Sequence, residues 1–155
     1  MAEKADFGDD DWKAIVEAPL LVTVIMFAVG QHGPLSMVKE SAASAKAITS
    51  PGNRGPASGL IAEIVPEAQS KQARHDADHH KGASMAEVVE ACLTDLKAAA
   101  AALATVPADE AAGVAGWYYD IARAVAGAAK GTSEAETEAL GRIAAILGVE
   151  ATPGS

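Results

Sequence analysis

Apolar residues recur along this chain at the three- and four-residue spacing of a helix face. The pattern is most regular where Met85, Val88, Val89, Cys92, Leu93, Leu96, Ala100 and Leu103 follow one another. Ser84 and Glu87 stand ahead of that run as a capping-box pair, so a helix is predicted from there to about Ala104. A second helix starts at Pro107, carries Asp109 and Glu110 at the positive end of its dipole, and presents Val114, Trp117, Tyr118, Ile121 and Val125 before stopping near Gly131. Gly113, Gly116 and Gly127 each weaken it by about 1 kcal/mol relative to Ala, which points to a neighbouring helix packed close. Ser133 and Glu136 form another capping box ahead of the stripe Ala139, Leu140, Ile143, Ile146 and Leu147, and Gly148 is placed for a left-handed cap.

The first half is less regular. Leu20 to Val29 is apolar on every side, as expected of a helix buried on every side, so it is assigned the centre of the domain with the Pro107–Gly131 helix against it. Pro19 separates it from a shorter helical piece, Asp10 to Ala18, since a proline suits the first turn of a helix better than its interior. Val38, Ala42, Ala45 and Ile48 mark a helix from Ser36 to Ile48; PGNRGPASG at 51–59 is a loop; Leu60, Ile61, Ile64 and Val65 make a short helix that Pro66 breaks or kinks. The predicted fold is an all-α single-domain bundle of about six helices over 10–149. It has a polar connection near 69–83, a disordered acidic leader at 1–9 and a loose tail at 150–155.

Composition supports helices: half of the 155 residues are apolar but only 4% aromatic, a core of small and aliphatic side chains. A formal charge of −9 with scattered Lys and Arg argues against a nucleic-acid partner, which needs clustered cations to displace phosphate counterions. Cys92 is the single cysteine and rules out an intrachain disulfide. The apolar run Pro19 to Gly30 falls short of the roughly 20 residues a membrane span needs. The acidic start is the wrong charge for a signal peptide. A cytoplasmic location, no membrane partner and no cofactor are the resulting expectations.

A shift of 98 residues lays Gly33 on Gly131, Glu40 on Glu138 and Ile48 on Ile146, a faint internal repeat of apolar helix, Gly turn and amphipathic helix. The stretch Ala122 to Val149 (ARAVAGAAKGTSEAETEALGRIAAILGV) resembles, in spacing and in its Leu-Gly ending, the second half of the TerB-like family, named for tellurite resistance. The resemblance implies a compact helical bundle with an acidic divalent-cation site to which Glu40 and Glu138 would belong. The chain departs from the family where Asp precedes the turn glycine, with His32 and Lys130 in its place.

Three groups of residues have the chemistry of a site. His75, Asp76, His79 and His80 carry imidazoles and carboxylates at helical spacing and suit a metal such as Zn²⁺, although HExxH is absent and a solvated linker reads the same way. Cys92 lies on a buried stripe, where cysteine behaves as a small hydrophobe. Trp117, Tyr118 and Tyr119 cannot all face one side of a helix; packing is the favoured explanation of the cluster, and one of them exposed as a contact anchor the second. With no coherent catalytic set, the expectation is a non-enzymatic protein acting through protein–protein contacts, homo-oligomerisation among them, in a stress-related role. The rival is a metal-binding or metal-dependent hydrolytic protein built on His75 to His80.

Overall fold

The computed structural model describes residues 2–30, 34–70, 84–128 and 133–150. Among them are six α-helices and no strand: α1 (Asp9–Val29), α2 (Pro34–Thr49), α3 (Ser58–Ala68), α4 (Met85–Leu103), α5 (Ala108–Gly127) and α6 (Glu134–Leu147), with 3-10 turns at Lys4–Asp6 and Gly55–Ala57. The all-α bundle read from the sequence is the observed fold.

The central helix is α1. Ile15, Ala18, Leu21, Val22, Ile25 and Met26 are fully buried along it, and α3, α4, α5 and α6 all pack on it. Its most extensive neighbour is α4 rather than α5. Asp9, Asp10 and Asp11 occupy its first turn, where the helix dipole favours negative charge.

The sequence reading of a break at Pro19 is corrected: α1 runs straight through it. A proline there has no N–H for the carbonyl four residues back, which belongs to Ile15. The Tyr118 hydroxyl of α5 donates to that carbonyl at 2.7 Å, so the buried oxygen keeps a partner and the helix need not end. One turn on, Thr23 donates to the Pro19 carbonyl at 2.9 Å, and its hydroxyl lies 2.8 Å from that of Ser44 in α2. As one helix of 21 residues containing an 18-residue stretch of mean hydropathy 1.8, α1 is long and apolar enough to cross a membrane, which the split reading had excluded; in this fold 61% of that stretch is buried inside the bundle.

The glycines of α5 are also reassigned. Only Gly113 has a backbone neighbour that a side chain would strike: a Cβ there would lie 2.4 Å from Cβ of Ala57 and 3.2 Å from the Arg54 carbonyl oxygen. Its close neighbour is therefore the Gly55–Ala57 turn and not α1. Gly52 and Gly55 hold left-handed φ values of 74° and 57° that shape this loop, and Arg54 pins it to α5 through Asp120 at 2.8 Å. Pro66 lies inside the last turn of α3, which continues to Ala68.

The caps follow their residues. Ser133 and Glu136 make the full reciprocal box, and Gly148 ends α6 at φ 69°. Ser84 caps α4 by accepting from the Glu87 N–H, but the Glu87 carboxylate returns to the serine hydroxyl rather than to its N–H.

The leader is the largest departure. Rather than trailing as a disordered segment, residues 2–8 lie across α3 and α5. The Ala2 N–H points between both oxygens of the buried Glu110 carboxylate at 3.1 Å, and the Lys4 N–H donates to Glu63 at 3.0 Å. Carboxylates on two helices supply acceptors for its backbone, which no local pattern in an acidic leader reveals.

A candidate binding cleft beneath the leader

Among the described residues, the candidates singled out do not come together. His75, Asp76, His79 and His80 lie outside the described residues, as do His32, Lys130 and the two turn glycines Gly33 and Gly131. Glu40 is buried in α2 and Glu138 is exposed on α6, so the two matched acids occupy unlike environments on different helices. Among the described residues, no group of three or more His, Cys, Asp or Glu side chains is placed to hold a metal ion.

Trp117, Tyr118 and Tyr119 are all buried, which agrees with packing and corrects the second reading, an exposed aromatic anchor. Three successive residues spread over about 200° of a helix, and α5 is covered by α1, by α2 and the Gly55–Ala57 turn, and by α6. The Trp117 Nε1 donates to the Ala47 carbonyl at 3.2 Å, whereas the Tyr119 hydroxyl is buried with no hydrogen-bond partner among the described residues. Cys92 is buried too. Burial, and secondarily the nearby Asp95 charge, pushes its thiol up to about 11, so at neutral pH it is a protonated and unreactive core group.

A cavity of about 720 Å³ lies elsewhere, between the leader, the first half of α1 and α3. Its wall carries five carboxylates, from Glu3, Asp9, Glu17, Glu63 and Glu67, against the two ammonium groups of Lys4 and Lys13. Phe7 and Trp12 supply the apolar part, their rings 5.7 Å apart and tilted by 38°. Helical spacing puts Glu63 and Glu67 on one face of α3, while Asp9, Trp12, Lys13, Val16 and Glu17 follow one face of α1. The leader closes the third side.

Polar contacts in the cleft converge on Glu67. One of its oxygens accepts the Trp12 indole N–H at 2.9 Å and the other meets the Lys4 ammonium at 3.2 Å. The same ammonium stands 5.9 Å from the centre of the Trp12 ring, within the range of a cation–π contact. Among the described residues, the lining contains no histidine and no cysteine. It can hold a positive charge against an aromatic ring and carboxylates.

A second hollow of about 380 Å³ opens where α4 ends, α5 begins and α6 closes, and alanine, leucine and valine side chains line it. Among the described residues it offers no charged side chain to orient a ligand. The cleft under the leader could not have been found by local pattern, because its residues are drawn from 3–17 and 63–70. The one legible signal was Trp12 in an otherwise acidic stretch. No family model, curated protein or solved structure matches this chain.

Proposed function

We propose that this is a non-catalytic binding protein that engages a positively charged segment of a partner protein in the cleft between the leader, α1 and α3. One observation carries the reading: five carboxylates and a tryptophan line a cavity of about 720 Å³, and a lysine ammonium already sits there over the indole and on Glu67. A lysine or arginine side chain brings the matching charge and an alkyl stem that suits the aromatic wall. The net charge of −9 adds long-range attraction for a basic partner. The TerB-like kinship, with a stress-related role and a cytoplasmic setting, stays part of the proposal at the level of the helical fold. The cation site implied by that kinship is not carried over to Glu40 and Glu138.

The test is a titration of isotopically labelled protein with a hexalysine peptide and, separately, a hexaglutamate peptide. Saturable shifts confined to residues 3–17 and 60–70 with hexalysine alone, abolished in a Glu63→Gln, Glu67→Gln double variant, are expected. Shifts centred on another face, or equal shifts with both peptides, would overturn the proposal.

A further inference from the structure

We infer that Lys4 is a resident stand-in for the partner's cation, and that the leader is a strap which a ligand must displace to reach the seat. The inference rests on the cleft being a binding site, and adds how access to it is controlled.

Three observations carry it. First, the Lys4 ammonium makes the two contacts an incoming ammonium would seek, the Trp12 ring at 5.9 Å and Glu67 at 3.2 Å. Two cations cannot share that seat, since like charges at such separations repel. Second, Trp12 is only 6% exposed although it lines the cavity. Phe7 and Lys4 lie against it, so the aromatic surface that would grip a ligand is covered by the leader itself.

Third, the strap is lightly fastened along its middle. The turn Lys4–Asp6 buries none of its residues, and its internal closure is the reciprocal pair between Glu3 and Asp6. Its firm attachment is at the far end, where Ala2 meets the buried Glu110. The Lys4–Asp6 turn opens at little cost while Phe7 stays against Trp12, because the turn itself buries none of its residues. Releasing Lys4 forfeits an exposed ion pair with Glu67, the contact with the Trp12 ring and the exposed Lys4 N–H bond to Glu63. Displacement therefore lowers the apparent affinity without blocking the site, by the fraction of time the seat is open.

The test compares hexalysine binding to the parent, to Lys4→Met and to Lys97→Met, read by the Trp12 indole N–H resonance. Methionine keeps an unbranched stem and removes the charge, and Lys97 on α4 serves as a control for net charge outside the cleft. Lys4→Met is expected to bind roughly five- to tenfold more tightly than the parent, and Lys97→Met within about twofold of it. If Lys4→Met and the parent bind equally, or Lys4→Met binds more weakly, the strap is refuted while the binding site stands. If neither protein moves the Trp12 resonance, the cleft is not the site and both proposals fall. If Lys97→Met gains as much as Lys4→Met, the effect is one of overall charge and the stand-in role is refuted.

Discussion

The hydroxyl of Tyr118 donates to the carbonyl of Ile15, 103 positions earlier and 2.7 Å away, at the one place in α1 where Pro19 withholds the helix's own N–H. Removing that hydroxyl leaves a buried carbonyl with no donor, at a cost of about 1–3 kcal/mol. Tyr118→Phe is expected to lose that much in urea unfolding. In a Pro19→Ala background the restored N–H at position 19 meets Ile15, and the same substitution should cost less than half as much. Tyr119→Phe, which deletes a hydroxyl without a partner among the described residues, should cost nothing. Equal losses for Tyr118→Phe in both backgrounds would sink the account of how α1 passes through its proline.

Gly113 and Gly116 share one helix and differ in what faces them. Gly113→Ala drives a methyl against Ala57 and the Arg54 carbonyl, and overpacking of this kind costs about 1–3 kcal/mol. Gly116→Ala meets only the Arg54 guanidinium at 4.0 Å and should gain up to about 1 kcal/mol of helix propensity. Thermal melts of the two variants should move in opposite directions; a shared direction contradicts the close approach of the turn.

Burial lifts the Cys92 thiol from about 9.0 to about 11. As pH rises through that window the unfolded chain loses a proton that the folded chain keeps, so this residue's contribution to stability falls with rising pH. At pH 8 an aromatic disulfide reagent should modify native protein only at the rate of unfolding, and urea-unfolded protein at once. Fast modification of the native state would place Cys92 on the surface.

Arg142 on α6 grips Glu90 on α4 with both oxygens engaged, at 2.8 and 3.0 Å. The hydrogen bond from Arg142 holds the Glu90 carboxyl below its ordinary range. A depressed carboxyl stabilises the fold above its unfolded value, and that contribution is lost as pH falls through the folded value. Both groups are solvent-facing, so the effect is small. Glu90→Gln should lower the melting temperature slightly at pH 7 and not at pH 2.5. A deficit that persists at pH 2.5 would assign the effect to packing.

What could be read from the sequence was what neighbouring residues decide. The stripe through Val89, Cys92 and Leu96, the serine caps at Ser84 and Ser133, and the glycine cap at Gly148 all depend on residues within a few positions. The missed features depend on distant ones. Pro19 looked like a boundary because its compensating donor lies on another helix. The aromatic triplet left an exposed ring as a second reading because nothing local shows that α5 is covered on several sides. Of the cleft, the acidic character of the first residues was plain, but Glu63, Glu67 and Glu110 complete the leader's bonding from far along the chain.

The position of α1 at the centre of the bundle bears on how the protein comes off the ribosome. The helix that every other one covers is made first, and α4, its most extensive cover, is complete only at Leu103. At ordinary synthesis speeds of about 5–20 residues per second, the apolar surface of Leu21, Val22, Ile25 and Met26 waits several seconds for its partners. Translation slowed between α3 and α4 lengthens that interval and should raise the yield of aggregate rather than of folded protein.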